Sequence, residues 1–177
     1  MEIEVLRIGQ RVIRDDRVTT HVALVARSFG ADKIYMNEVN SEIEKTISDI
    51  NKTWGGNFKI EIISEWKKII KERKNAGVKI VHLTMYGQNI NDIEIKIRNE
   101  DKILIVVGAE KVPREIYEMA DYNVAMGNQP HSEISALSVL LDRIHQGNQF
   151  ESSFDNPERV IIPQEHGKNV VTNKTTD

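Results

Sequence analysis

Short apolar runs alternate with segments of helical period from the first residue to about residue 147. Ile3 to Ile8, Lys33 to Asn37, Lys59 to Ile63, Val78 to Thr84, Lys102 to Val107 and Tyr122 to Met126 read as strands. Residues 20–29, 41–54, 65–76, 90–98, 113–120 and 132–146 read as helices. Parallel strands need long crossovers, and helices of this length supply them. The expected fold is therefore α/β, a mainly parallel sheet with helices on both faces. VKIVHLTM and ILIVVG are almost wholly apolar and predict interior strands. In FKIEII, Lys59 and Glu61 alternate with Phe58, Ile60 and Ile62, which predicts a half-exposed edge.

The helices differ in how much apolar surface they carry. Helix 65–76 has a single stripe of Trp66, Ile69 and Ile70, the pattern of a surface helix. Helix 132–146 carries Ile134, Ala136, Leu137, Val139, Leu140, Leu141 and Ile144, and helix 20–29 carries Val22 to Ala26 and Phe29. Covering a sheet uses one face only, so the surplus predicts a homodimer through these two helices. Beyond Gly147 the chain turns polar. Residues 1–147 are expected to form the main domain and 148–177 an extension, with a β-hairpin on Arg159 to Asn173 and a disordered end.

At 177 residues the chain has the size of one domain, and the absence of cysteine rules out disulfides and thiolate metal sites. The acidic start MEIEVLRIGQ lacks the pattern of a signal peptide, and the longest apolar run, Ile103 to Val107, is too short to span a bilayer. A cytoplasmic protein with no membrane partner is expected. The net charge of −3 argues against indiscriminate nucleic-acid coating. Two basic stretches stand out locally. Arg7, Arg11, Arg14 and Arg17 fall within eleven residues, opposed by Asp15 and Asp16, and Lys67 to Lys79 holds six basic residues against Glu72. The lysine stretch reads as a solvated helix face. The arginines carry the side chain suited to forked phosphate contacts.

Three late strands end in glycine-bearing turns, Thr84 to Gly87, Val107 to Glu110 and Met126 to Gln129. Ligands of open parallel sheets bind outside the carboxyl ends of strands, where glycine lets backbone approach them, so the three turns form one candidate site. The third continues as Gly127-Asn128-Gln129-Pro130-His131-Ser132-Glu133, in which Pro130 stiffens the entry and Ser132 can cap the following helix. Neither G-x-G-x-x-G after the first strand nor G-x-x-x-x-G-K-[ST] is present, which disfavours dinucleotide and nucleoside triphosphate cradles. His21, His82, His131, His145 and His166 show no paired ligand spacing, so no metal is expected and each histidine reads as structural or surface.

RIGQRVIRDDRVTTHVALVARSFGADKI, ILIVVGAEKVP and above all ADYNVAMGNQPHSEISALSVLLDRI resemble the archaeal tRNA (cytidine-2′-O)-methyltransferases of the SPOUT superfamily, over about residues 1–147. The resemblance implies 2′-O-methylation of a T-loop cytidine at position fifty-six, S-adenosyl-L-methionine as cofactor, an obligate dimer with its active site at the subunit interface, and a C-terminal trefoil knot. It also implies that the cofactor is held by Leu83, by Gly108, Ala109, Glu110, Lys111 and Val112, and by Met126, Gly127, Asn128, Gln129, Pro130, His131, Ser132 and Glu133, largely through backbone groups. Bacterial relatives place an arginine in the first motif where this chain has Leu24. The corresponding role beside the ribose hydroxyl passes by the resemblance to Arg17, then Arg14, with Asn128 orienting the hydroxyl. Two other readings are another RNA methyltransferase activity of the same superfamily and a non-catalytic flavodoxin-like binding module.

Overall fold

The computed structural model describes residues 1–9, 16–37, 39–109 and 112–173. The chain runs β1 (Glu2–Ile8), α1 (Asp16–Ser28), β2 (Lys33–Asn37), α2 (Glu42–Trp54), β3 (Lys59–Ile63), α3 (Trp66–Asn75), β4 (Lys79–Asn89), α4 (Ile90–Arg98), β5 (Lys102–Gly108), α5 (Arg114–Met119), β6 (Tyr122–Ala125) and α6 (Glu133–His145). A 3-10 turn (Asn148–Glu151) and the strands β7 (Arg159–Ile161) and β8 (Val170–Thr172) follow.

The first six strands make one sheet in the order β3-β2-β1-β5-β4-β6, every neighbouring pair parallel. As the pattern predicts, β4 and β5 are interior and the charged β3 is an edge. The strand order reverses between β1 and β5, so loops from both halves of the sheet diverge at its carboxyl edge. That is where a doubly wound sheet opens a crevice.

Two apolar layers hold the sheet. One packs α1, α2, α4 and α6 against one face, with Val22, Ala26, Ile97, Leu137, Leu140 and Leu141 buried. The other packs α3 and α5 on the opposite face through Ile69, Ile70 and Ile116 against Leu6, Ile80 and Leu104. Each fully buried aliphatic side chain contributes about 1.5–3 kcal/mol. Part of the surplus on α1 and α6 is absorbed within the chain, because these two helices pack against each other. Leu24, Val25 and Ile144 stay partly buried and Val139 is 41% exposed.

Two elements differ from the sequence reading. Helix α1 starts at Asp16, four residues earlier than expected, so Arg17 lies inside its first turn instead of ahead of it. Val18, Thr19 and Thr20 are poor helix formers, but Thr19 is buried and bonded to Arg7, and tertiary packing overrides propensity. Strand β4 runs on to Asn89 because the chain bulges out between Leu83 and Gln88 and then pairs with β6 again. Gly87 allows this return: any side chain there would collide with the backbone of Asn123 and Val124.

After α6 the chain returns to the end of α2. There Gly56 N–H donates to the Asp155 carbonyl at 2.8 Å, and the Arg27 guanidinium lies 4.2 Å from the centre of the Phe154 ring. Strands β7 and β8 pair antiparallel as the expected hairpin. Among the described residues no helix is long and apolar enough to cross a membrane.

Candidate functional site

Two cavities open at the carboxyl edge of the sheet, one on each face, and meet over β4 and β5. The first, about 260 Å³, lies on the α6 side, with an apolar floor of Leu83, Val107, Val124, Met126 and Ala136. Its rim is Pro130, His131 and the half-buried Glu133. The second, about 550 Å³, lies on the α5 side and is walled by His82, Tyr86, Val112 and Tyr117. Leu83, Thr84, Met85 and Gly108 line both. The three glycine turns singled out from sequence therefore converge on one place.

Helix α6 begins here because Ser132 caps it, its hydroxyl accepting from the Ile134 N–H at 3.2 Å. Gly127 has φ +83°, with open space where a Cβ would stand, so the turn can bend sharply ahead of the cap. Asn128 points back to the bulge of β4, its amide donating to the carbonyls of Met85 (2.7 Å) and Gly87 (3.3 Å). It ties the third turn to the first.

The sequence-predicted residues divide accordingly. Leu83, Gly108, Ala109, Met126, Pro130, His131 and Glu133 line the first cavity, and Val112 lines the second. Gly127, Asn128, Gln129 and Ser132 shape or flank the turn without lining either cavity. Arg17 is exposed in the first turn of α1 and is not among the lining residues of either cavity. Arg14, Glu110 and Lys111 lie outside the described residues.

Sequence reasoning gave no separate role to two buried polar groups at this edge. Arg7, fully buried in β1, donates through Nε to Thr19 Oγ1 (3.2 Å) and through Nη1 to Glu133 Oε1 (3.5 Å). Burying a guanidinium is costly unless it is paired, so Arg7 fixes the starts of both α1 and α6 relative to β1. His82, fully buried in β4, meets Asn123 Oδ1 through Nδ1 at 2.8 Å and the Tyr117 ring edge-on at 4.7 Å. Burial pushes its pKa below the ordinary histidine value, against the opposing effect of Asn123, so the ring is neutral near pH 7. The signal for both was a polar residue flanked on each side by apolar neighbours, VLRI in one case and IVHL in the other.

The first cavity, with its apolar floor and the Glu133 carboxylate at its rim, suits a flat heteroaromatic group that carries a cationic portion. That is the character of S-adenosyl-L-methionine, with its adenine and positively charged sulfonium, and the residues present fit it. Among the described residues, no three histidine or acidic side chains gather as a metal site.

Residues 54–171 match the family model described as tRNA ribose 2′-O-methyltransferase, aTrm56. A tRNA (cytidine(56)-2′-O)-methyltransferase of Nitrosopumilus maritimus is 64% identical over 100% of both chains. Proteins of the same name from Thermococcus kodakarensis (55% identity, 96% of each chain) and Methanocaldococcus jannaschii (49% identity, 98% of each) are similar along nearly their whole length. Among solved structures, an A. aeolicus TrmH/SpoU tRNA modifying enzyme superposes with TM-score 0.61 at 16% identity, covering 85% of this chain and 76% of that one. The SpoU methyltransferase AviRb from Streptomyces viridochromogenes, in complex with the cofactor AdoMet, superposes with TM-score 0.57 at 11% identity, over 82% of this chain and 57% of that one.

Proposed function

The chain belongs to the aTrm56 family of tRNA ribose 2′-O-methyltransferases, and from that premise we propose how its carboxyl-edge site methylates the ribose of tRNA cytidine 56. The observation that carries the reading is the convergence of the three turns on the cavity walled by Leu83, Gly108 and Met126. These residues, with Glu133 at the rim, hold the adenosyl group. When bound, S-adenosyl-L-methionine supplies a sulfonium-activated methyl group, which a ribose 2′-oxygen takes in one displacement as the S–C electron pair returns to sulfur.

The protein's own task is to position the acceptor and stabilise charge; no covalent enzyme intermediate is required. Arg17 grips the phosphate beside the target ribose and favours loss of the 2′-hydroxyl proton to water. A guanidinium stays protonated at working pH, so Arg17 acts by its charge and not as a base. Arg14 is the second candidate for this role. Asn128, anchored on the β4 bulge, orients the hydroxyl from the third turn.

The active unit is a homodimer through α1 and α6, in which Arg17 is contributed by the partner's α1. The partly exposed Leu24, Val25 and Val139 support this arrangement, as does the fact that Arg17 lines neither cavity of its own chain. The turns after β4, β5 and β6 form a trefoil knot, and residues 148–177 act as an appended extension. The family assignment favours this reading over a flavodoxin-like module.

The test is transfer of labelled methyl from S-adenosyl-L-methionine to transcript tRNA. Label should appear with cytidine 56 in place and be absent when its 2′-hydroxyl is removed. Label retained in the 2′-deoxy transcript would overturn the reading.

A further inference from the structure

The wall of the second cavity includes a buried side chain with an unmet hydrogen-bonding need, His82. Asn123 Nδ2 donates to the Tyr117 carbonyl at 2.9 Å, so its Oδ1 is the acceptor in the contact with His82, and His82 Nδ1 carries the proton. In a neutral ring this makes Nε2 a lone-pair acceptor. Nε2 is buried and has no hydrogen-bond partner among the described residues. A buried acceptor left without a donor is costly, and such groups in native proteins call for an explanation. The surrounding wall is aromatic: Tyr117 stands edge-on to the ring, with its hydroxyl 3.1 Å from Thr84 Oγ1, and Tyr86 on the β4 bulge is 74% exposed.

We propose that the cavity between β4 and α5 is a nucleobase pocket, in which His82 Nε2 accepts from the exocyclic amino group of the target cytosine and Tyr86 stacks on the base. Three observations combine here. The ligand must offer an N–H donor to Nε2, and cytosine has one at N4 where uracil presents an acceptor. An exposed aromatic on a loop is the side chain on which an unpaired base stacks. The cavity also shares Leu83, Thr84, Met85 and Gly108 with the cofactor cavity, so a base seated in it brings its ribose to the common rim. His82 is thus a specificity-determining residue and takes no part in the displacement itself. The proposal rests on the tRNA methyltransferase reading given above.

The full-length protein is assayed with tRNA transcripts carrying cytidine, uridine or N4,N4-dimethylcytidine at position 56. A site built to accept a hydrogen bond rejects analogues that cannot donate one, so kcat/KM for the last two should fall by about 10²-fold or more. In His82→Leu the preference for cytidine over uridine should shrink to within about 3-fold, with S-adenosyl-L-methionine affinity unchanged by calorimetry. Tyr86→Ala, at an exposed position, should raise KM for tRNA about 10-fold without altering cofactor affinity. Comparable rates on cytidine and uridine for the unmodified protein would overturn the proposal whether or not His82→Leu folds, and so would full preference in a folded His82→Leu. Bound cofactor with no transfer to the cytidine transcript would overturn the function itself, and the base pocket with it.

Discussion

The two basic stretches of this chain look alike when charges are counted along the sequence, and the fold treats them in opposite ways. Part of the lysine-rich stretch on α3 and the start of β4 is paired with acids far away in sequence. Lys67 pairs with Glu115 at 2.8 Å, Lys74 and Lys79 with Asp121 at 3.6 and 3.9 Å, and Arg73 with Glu4 at 3.0 Å. Lys74 also donates to the Met119 carbonyl. Glu4 is buried in β1, and burial pushes its carboxyl above the ordinary value against the pull of Arg73. In the arginine stretch, Arg7 is withdrawn wholly into the sheet beside the cavity on the α6 side, while Arg17, ten residues later, is exposed. A local surplus of charge therefore says little about what a surface offers to RNA. The deciding factor is which acids the sheet order brings alongside.

The sharpest break of this contrast is Arg7→Met. It leaves the half-buried Glu133 carboxylate without this partner and the buried Thr19 hydroxyl without its donor, so stability measured by urea unfolding should drop by about 2 kcal/mol. Adding Glu133→Gln should recover part of that loss, since the orphaned carboxylate is then gone. If Arg7→Met were as mild as a surface change, the distinction between the stretches would fail.

Arg17→Ala should leave the fold intact and lower kcat by about 10²-fold, roughly 2.7 kcal/mol, with S-adenosyl-L-methionine affinity within about 2-fold of the original. An equal loss of cofactor affinity in a titration would move Arg17 out of the acceptor side of the site. The smallest effect belongs to Lys67→Met. Its pair with Glu115 is half exposed, so stability should change by less than about 0.5 kcal/mol and KM for tRNA should not move beyond about 2-fold. A marked rise in KM would show that α3 meets the substrate after all.

Most of the framework was legible from residue pattern. Continuous apolar runs gave the interior strands, Lys59 and Glu61 marked the edge, and Ser132 announced the start of α6. The three glycine turns pointed to the carboxyl edge by their position after strands alone. The bulge of β4 was not legible, because Thr84 to Gly87 reads as an ordinary turn. Only the backbone of Asn123 and Val124, pressed against Gly87, shows that the strand resumes beyond it. The early start of α1 was hidden for a related reason, since Thr19 joins the helix through a bond to Arg7 in another element.

The sequence by itself determined the alternation of strands and helices, the edge, the cap and the family, because these depend on local periodicity and on strings of adjacent residues. The tertiary structure alone decided the partners of Arg7, the lone acceptor on His82 and the long-range ion pairs of α3. Each of these depends on groups that are 12 or more residues apart meeting in space. Electrostatic and hydrogen-bond energies follow distance through space and burial, and neither quantity is written along the chain.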